Sequence, residues 1–268
     1  MTIVVETRGI TQRFGGLVAL DDVSLSVAVG TVHGVIGPNG AGKTTLLNIL
    51  SGLQRPTSGK VIVGDQDVTR WRGHKYVTKA KLVRTFQTVR LFSSMSVREN
   101  IMVAAQVVAP YGEARRRSDA VLERLDLVEL ADKQATSMSY GLQRRVELAR
   151  VIVAEPAVVL LDEPAAGLSP QERGDLASLL RSMRDDGVTI VLVEHHMDLV
   201  HAACEDCTVL DFGKVISRGT PTEVTEDPKV LEAYLGGRHH KATASKVVID
   251  DVDEVAAEAV AGLEGEAS

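Results

Sequence analysis

The sequence has few aromatic residues, only two cysteines and no long hydrophobic run. Aromatics make up 3% of the 268 residues, so a core must be built from Val, Leu, Ile and Ala. Cys204 and Cys207 cannot form a disulfide framework, which indicates a reducing compartment. No apolar stretch has the length of a membrane span, and the polar start MTIVVETRGI is unlike a signal peptide. We therefore expect a chain that is soluble by itself and reaches a membrane only through a partner.

The sequence also lacks the basic surplus that nucleic-acid binding requires. It has 30 Lys and Arg against 36 Asp and Glu, a net charge of −6, which argues against affinity built on phosphate contacts with nucleic acid. Residues 241–268 hold two bases and seven acids, a charge of −5, which leaves −1 for residues 1–240. We expect a folded domain over 1–240 and an acidic, disordered tail over 241–268. The alternative for the tail is a docked or partner-induced helix, because Val248, Val252, Val255 and Ala259 fall on one helical stripe.

The hydrophobic pattern predicts an α/β domain with a helical insertion. Buried strands are predicted at 3–5, 23–29, 32–36, 158–161 and 188–193, with edge strands beside Leu210 and at 215–216. Helices are predicted between Gly42 and Gly52, through 97–153, over 171–184, and after Pro221 and Pro228.

A glycine-rich loop lies between the predicted strand 32–36 and the helix that follows. Residues 37–44, GPNGAGKT, match the pattern G-x-x-x-x-G-K-[ST]. Glycine lets backbone N–H groups wrap nucleotide phosphates closely, and the N-terminus of the next helix adds positive potential. Lys43 is expected to neutralise the β- and γ-phosphates and Thr44 to bind Mg²⁺, so the loop predicts an ATP or GTP site. The nucleotide-binding residues predicted here are Gly37, Pro38, Asn39, Gly40, Ala41, Gly42, Lys43, Thr44 and Thr45.

Two carboxylates end the predicted strand 158–161. Asp162 is expected to hold Mg²⁺ through its water shell, and Glu163 to polarise the attacking water as the general base. Solvated acids at a strand end are the alternative interpretation. The phosphate loop earlier in the chain favours the catalytic one.

With these motifs in place, the chain resembles the ATPase subunit of ATP-binding cassette (ABC) transporters over roughly residues 3–237. Residues 139–143, SYGLQ, resemble that family's L-S-G-G-Q signature and precede Asp162 by 23 residues. Three further residues are similar to family motifs: Gln87 to the Q-loop glutamine, His195 to the switch histidine, and Phe14 to the aromatic that stacks on adenine. Residues 167–169 correspond to the D-loop. The resemblance implies an α/β P-loop NTPase fold of ABC type, with a mixed core sheet, an antiparallel β subdomain and an inserted helical subdomain at about 90–153.

The resemblance also implies a pair of cassettes packed head to tail, with each ATP between one phosphate loop and the other subunit's signature. Ser139 and Gly141 would then contact the γ-phosphate of the neighbour's ATP, with Gln143 in the same ATP-binding set. Gln87 would contact Mg²⁺ or the attacking water, and His195 would hold the γ-phosphate. The implied catalytic residues are Lys43, Gln87, Glu163 and His195, and the implied Mg²⁺ ligands are Thr44, Gln87 and Asp162.

Three residues depart from the family pattern. Tyr140 replaces the second residue of the signature, and Leu142 stands where a polar residue or glycine is usual. Ser169 replaces the aspartate that usually ends the D-loop, which weakens an expected contact across the dimer.

His195, His196 and His201, together with Cys204 and Cys207, raise the alternative of a metal cluster. Zinc prefers four ligands at recognised spacing, and the Cys-x-x-Cys pair has no second pair. The pattern favours cysteines that pack at a helix end.

Several phrases are similar to the larger ATPase of bacterial importers for branched-chain, hydrophobic amino acids. They are RFGGL at 13–17, RTFQ at 84–87, RLF at 90–92, EPAAGL at 163–168 and VEHHM at 193–197. Close relatives import urea or short amides, and a related ATPase powers lipopolysaccharide extraction, so the cargo rests on resemblance alone. The implied partners are a second ABC ATPase (the same chain or a shorter homologue), two integral membrane permeases and, indirectly, an extracytoplasmic solute-binding protein, at the cytoplasmic face of a bacterial membrane.

A soluble ABC ATPase that works on nucleic acid or ribosomes is the rival class. Gly37 and Asp162 are only 125 residues apart, without the sustained heptads of a long coiled-coil insertion. The chain also has one cassette and a near-neutral domain, so we expect no nucleic-acid partner.

Overall fold

The computed structural model describes residues 2–71 and 73–236. It divides the chain into two compact units, residues 1–233 and 234–268, and the first of these contains the sheets and the site. The tail predicted for residues 241–268 lies outside the described residues. No helix of the described part is both long and apolar enough to cross a membrane.

The strands and helices alternate along most of the first unit. The strands are β1 Ile3–Phe14, β2 Leu17–Ala28, β3 Val32–Ile36, β4 Ser58–Val63, β5 Gln66–Asp67, β6 Leu82–Arg84, β7 Val158–Asp162, β8 Thr189–Val193, β9 Asp206–Asp211 and β10 Lys214–Gly219. The helices are α1 Lys43–Leu50, α2 Gly73–Thr78, α3 Val97–Gln106, α4 Tyr111–Arg124, α5 Tyr140–Ile152, α6 Pro170–Asp185, α7 Met197–Ala203, α8 Pro221–Glu226 and α9 Pro228–Gly236. Two 3-10 turns, Val128–Leu130 and Ala135–Ser137, lie between α4 and α5.

The central sheet is mixed and has the strand order β10-β9-β3-β8-β7-β6. All its neighbouring strands run parallel except β10, which is antiparallel to β9. In this register Val193 pairs with both Val35 and Asp162. The carboxyl ends of β3, β7 and β8 therefore meet at one edge of the sheet, where ligands of open α/β sheets bind.

The second sheet is antiparallel, in the order β2-β1-β4-β5. Its two long strands, β1 and β2, pair with several register shifts, and Phe14 lies opposite Leu17 at the turn between them. This sheet and α1 share a hydrophobic cluster with one face of the central sheet.

Alternate residues of β7 show how both faces of the central sheet are covered. Val158 and Leu160 belong to the cluster under the antiparallel sheet, whereas Val159 and Leu161 belong to the cluster that α6 and α7 cover. Helices α3, α4 and α5 enclose a third cluster of their own. Tyr76 is the one aromatic among the buried hydrophobic residues of the described part, as the scarcity of aromatics predicts.

The α/β fold with a mixed central sheet, an antiparallel sheet and a helical insertion is confirmed. The strand at Leu210 was expected at an edge, and this is wrong: β9 lies between β3 and β10, so β10 alone forms that edge. The strand predicted at 3–5 extends to Phe14, and β4, β5 and β6 are additions that the pattern did not predict.

Candidate active site

The loop from Gly37 to Gly42 joins β3 to α1, and its backbone requires glycine at both ends. Gly37 has φ +147°, and a Cβ there would lie 2.0 Å from the Leu210 carbonyl oxygen. Gly42 has φ +101°, and a Cβ there would lie 2.7 Å from the Ala19 carbonyl oxygen. The β1–β2 and β9–β10 hairpins thus pack closely against the loop and leave no space for a side chain at either glycine.

Lys43 is the first residue of α1, and its side chain folds back over this loop. The buried Nζ donates hydrogen bonds to the carbonyls of Gly37 at 2.8 Å and Pro38 at 3.0 Å. Burial lowers the pKa of the Lys43 amine, and the carboxylates of Glu163 and Asp162 oppose that shift. The Lys43 ammonium therefore lies within the curve of the glycine-rich loop, where the sequence motif predicts the phosphates of a nucleotide.

The remaining residues of the loop fit an anionic ligand. The first turn of α1 contains no acidic residue, so its N-terminal potential is not cancelled. Asn39, Gly40 and Thr44 are exposed, as a loop that admits a nucleotide requires. Phe14, at the end of β1, keeps half of its surface exposed, so its ring is free to stack on a base.

Asp162 ends β7 and is buried, with its charge balanced by an arginine. Asp162 Oδ2 accepts from Arg84 Nη2 at 2.9 Å, and the two side chains are only 5% and 7% exposed. The other arm of Arg84 donates to Asn48 Oδ1 at 2.6 Å and Ser51 Oγ at 3.0 Å, both at the end of α1. Burial lowers the pKa of the guanidinium, and the bond to Asp162 opposes this shift.

Glu163 follows directly in a strained backbone conformation, with φ +44°. Its N–H donates to the Val193 carbonyl, which keeps it beside the end of β8. Its Oε2 accepts from Gln87 Nε2 at 3.0 Å and lies 3.7 Å from His195 Nδ1. Three residues predicted from separate motifs, Gln87, Glu163 and His195, are therefore in contact.

Glu194 lies between β8 and the histidines and is completely buried. Its Oε2 accepts from the backbone N–H of His195 and of His196, and lies 2.9 Å from His196 Nδ1. Its Oε1 accepts from the Ala165 N–H at 2.9 Å. This carboxylate joins the histidine segment to the turn after Glu163.

The signature residues begin α5, with Ser139 as the N-cap. The Ser139 hydroxyl makes no capping hydrogen bond to the N–H groups of the helix, so it is available to another partner. Among the contacts described, Gly141 lies against Glu172 and Tyr140 against Gly167, rather than against the phosphate loop. Gln143 Nε2 donates to the carbonyls of Thr136 and Met138, so its side chain stabilises the turn before α5.

Leu142 and Ser169, two of the three residues that depart from the family pattern, have structural roles. Leu142 is half-buried and packs on the hydrophobic cluster of α3–α5. Ser169 caps α6: its Oγ accepts from the Glu172 N–H, and Glu172 returns a bond to the Ser169 N–H. The serine thus fixes the start of α6, a helix that also has Pro170 at its first position.

The cysteines pack in the core, as predicted. Cys204 and Cys207 are free, buried, and belong to the cluster beneath α6 and α7. A hydrogen bond with Cys207, together with burial, raises the pKa of the Cys204 thiol, which opposes the thiolate that metals bind. Among the described residues, the metal-type cluster is Glu194, His195 and His196, without either cysteine. The Glu194 oxygens in it already accept four hydrogen bonds.

Sequence reasoning gave no role to Arg84, Arg144 or Glu194. Arg144 in α5 donates to the carbonyls of Phe86 and Gln87 and pairs with buried Glu147, so it ties the signature helix to the Q-loop. Arg84 and Glu194 are charged residues beside apolar strand residues, whereas Arg144 stands between Gln143 and Arg145. A charge beside an apolar strand was the one sign in the sequence of a structural role, but the partner of each residue is identified only by the fold.

Comparisons with known proteins place the chain among similar sequences and structures. A family model described as "ABC transporter" matches residues 20–166, and one described as "Branched-chain amino acid ATP-binding cassette transporter" matches residues 214–240. The high-affinity branched-chain amino acid transport ATP-binding protein BraF of Pseudomonas aeruginosa is 39% identical over 250 residues, which cover 87% of this chain and 98% of BraF. The corresponding LivG of Escherichia coli gives the same identity and coverage. A crystal structure of the ADP conformation of an ATP-binding cassette superposes with TM-score 0.81 at 30% identity, covering 88% of this chain and 100% of that one.

Proposed function

Because this chain belongs to the ATP-binding cassette ATPases of ABC transporters, we propose that it powers a membrane importer for branched-chain or other hydrophobic amino acids. The observation that carries the catalytic part is the meeting of Gln87, Glu163 and His195 beside the loop that Lys43 occupies. Those four side chains come from separate elements and converge at one edge of the central sheet.

In this proposal Glu163 is the general base. Its carboxylate is oriented by the Gln87 amide and stays only partly exposed, at 18% of its side chain, which favours one defined position. Lys43 would exchange its bonds to Gly37 and Pro38 for bonds to the β- and γ-phosphates. His195, 3.7 Å from Glu163, would hold the γ-phosphate next to the base.

The residues also fit a magnesium ion. The exposed Thr44 hydroxyl and the Asp162 carboxylate are the oxygen ligands that Mg²⁺ prefers, with Gln87 as the third expected ligand. Arg84 binds Oδ2 of Asp162, and none of the described hydrogen bonds involves Oδ1. When bound, Mg²⁺ supplies charge neutralisation on the phosphate oxygens.

A second cassette completes the site in this proposal. The N-terminus of α5 has a free capping position at Ser139, yet its described neighbours are Glu172 and Gly167 rather than the chain's own phosphate loop. We infer that Ser139 and Gly141 bind the ATP of a partner cassette, either a copy of this chain or a homologue. Gln143, which is occupied with backbone carbonyls, would support the helix start instead of contacting ATP.

The cargo and the membrane partners follow from similarity rather than from a binding pocket. BraF and LivG are named for branched-chain amino acid transport, and the description of the family model at residues 214–240 also names branched-chain amino acids. We propose two integral membrane permeases as direct partners and an extracytoplasmic solute-binding protein as an indirect one. The ATPase would then act at the cytoplasmic face of a bacterial membrane.

The test is to recover tagged Glu163→Gln protein from native membranes in ATP and Mg²⁺ and to identify its partners by mass spectrometry. Lys43→Ala is the matched control, because it alters the same site but should not retain ATP. We expect two polytopic membrane proteins and a cassette ATPase with Glu163→Gln, and weaker recovery with Lys43→Ala. Lipopolysaccharide-export partners would overturn the cargo, and ribosomal or nucleic-acid partners without a permease would overturn the transporter assignment.

A further inference from the structure

The buried carboxylate of Glu194 is saturated with hydrogen bonds from two different segments. It is 0% exposed, and its Oε2 faces the N–H groups of His195 and His196 and the Nδ1 of His196. Its Oε1 faces the N–H of Ala165, 29 residues earlier in the sequence. Four donors aimed at two oxygens match the acceptor capacity of an ionised carboxylate.

Backbone N–H groups supply three of the four hydrogen bonds to this carboxylate. The Lys43 ammonium adds an electrostatic attraction, although no described hydrogen bond joins it to Glu194. A buried charge of this kind is expensive unless every acceptor position is satisfied. A residue that served only packing would be apolar here, because Glu194 directly follows β8, whose residues Thr189–Val193 are all buried. The carboxylate therefore points to a requirement for two acceptors at one place.

The two segments that it joins carry the catalytic pair. Ala165 is two residues after Glu163, and the Ala166 N–H closes the turn on the Glu163 carbonyl. On the other side, the His195 N–H is held at 2.8 Å from Oε2. Glu194 thus contacts the backbone on both sides of the Glu163–His195 pair, whose side chains are 3.7 Å apart.

We propose that Glu194 is a positioning residue, whose carboxylate fixes the turn after Glu163 against the switch-histidine segment and so sets the Glu163–His195 geometry. It does not touch the nucleotide; it acts through the two residues that do. The inference rests on the proposed roles of Glu163 and His195.

An amide cannot replace this carboxylate, although it has the same shape. Glutamine presents one oxygen and one NH₂ group, so either the Ala165 N–H or the three donors of the histidine segment would face another donor. Glu194→Asp keeps both oxygens but is one methylene shorter, so it cannot span both segments. Both changes should loosen the same pair by different means.

The experiment measures ATP hydrolysis by the full-length chain, assembled with the partner subunits that copurify with it from native membranes, at saturating ATP and Mg²⁺. We expect kcat to fall at least about tenfold in both Glu194→Gln and Glu194→Asp, with KM within about threefold of the wild type, because misplaced groups slow the chemical step more than binding. Wild-type kcat in either variant would overturn the proposal.

Glu205→Gln is the matched control, since Glu205 is another carboxylate that joins distant elements. Its Oε2 accepts from the Val32 N–H at 2.7 Å and its Oε1 from Arg184, at the opposite end of β3. We expect Glu205→Gln to keep kcat within about twofold of the wild type. An equal loss there would mean that any broken link between elements slows turnover, and would overturn a specific role for Glu194.

The His195→Ala background separates this inference from the proposed function. The proposed effect of Glu194 is on the geometry of the Glu163–His195 pair, and that pair no longer exists when His195 is alanine. In that background Glu194→Gln should therefore change kcat less than about twofold. A further tenfold loss in that background would overturn the inference. If instead His195→Ala alone kept wild-type turnover, the proposed role of His195 would be the one to fail.

Discussion

At the scale of single residues, Glu163 combines a positive φ with contacts from two neighbouring segments. A glutamate at φ +44° is strained by about 1–3 kcal/mol, and such strain persists only where neighbours over-determine it. The backbone bond to Val193 and the side-chain bond from Gln87 provide that constraint. With this backbone conformation, the Glu163 carboxylate lies at the carboxyl ends of the strands, beside Gln87.

Glu163→Gln keeps the size of the side chain and an oxygen for the Gln87 bond, and it removes the carboxylate proposed as the general base. We expect turnover to fall by about 10²-fold or more, because general-base catalysis contributes that much, while ATP affinity is kept. The measurement pairs steady-state hydrolysis with calorimetric ATP binding. Wild-type turnover in this variant would show that another group activates the water.

His33 predicts a pH dependence of stability. It lies in β3 with its side chain 4% exposed, Nε2 2.9 Å from Thr208 Oγ1 and Nδ1 3.6 Å from Asp206 Oδ2. Burial lowers its pKa from 6.5 to about 4, against the opposing charge of Asp206 and with that of Arg218. Between these values the unfolded chain binds the proton and the folded chain does not, so stability falls as the pH drops from 6.5 towards 4.

The loss amounts to about 2–3 kcal/mol of unfolding free energy between about pH 7 and pH 4.5. Urea unfolding at both pH values checks it, with His33→Gln as the reference because glutamine does not titrate. We expect the wild type to lose more stability than the variant over this interval. Equal losses in both proteins would contradict the assignment to His33.

The phosphate loop, Asp162 and Glu163 could be predicted residue by residue, because their chemistry depends on local spacing. Arg84 and Glu194 could not, because each depends on a residue 29 or more positions away: Asp162 for Arg84 and Ala165 for Glu194. Leu142 and Ser169 illustrate the same limit. Both depart from the family motifs in sequence. In the fold Leu142 packs on the cluster of α3–α5, and Ser169 caps α6.

At the scale of elements, Arg84 connects three of them: β6, where it lies, β7 through Asp162, and α1 through Asn48 and Ser51. The contact keeps the end of the phosphate-loop helix aligned with the strand that carries both carboxylates. An apolar residue at position 84 would leave Asp162 buried and unpaired.

We expect Arg84→Leu to lower the unfolding free energy by about 3–5 kcal/mol, the usual loss when one partner of a buried ion pair is removed. Arg8→Leu is the control, because Arg8 forms a solvent-exposed pair with Glu6 at 2.8 Å and its removal should change stability far less. Chemical denaturation of both variants provides the comparison. Equal losses would mean that the Arg84–Asp162 pair behaves as a surface pair.

The strands that the pattern missed are short or polar. β6 has three residues and β5 has two, too few to show a period, and β4 begins with Ser58, Gly59 and Lys60. β1 was underestimated because its middle alternates with polar residues such as Arg8 and Gln12. These strands are specified by pairing across the sheet, which a local pattern does not report.

At the scale of the whole molecule, the parallel order of β3, β8 and β7 is what assembles the site. Those strands are far apart in sequence, and their shared register brings the glycine-rich loop, the two carboxylates and His195 to one edge. The signature on α5 belongs to the helical insertion, whose hydrophobic cluster is its own. This division suits a subunit that completes another subunit's site with one part and binds nucleotide with another.

The central claim is that ATP hydrolysis at this site drives amino-acid import. The most direct measurement is uptake of labelled leucine by cells that lack the native gene and carry either the wild-type chain or Glu163→Gln. The account predicts that the wild type restores uptake and that Glu163→Gln, although expressed and membrane-associated, does not. Leucine uptake that is the same with the wild type, with Glu163→Gln and with no chain at all would contradict it.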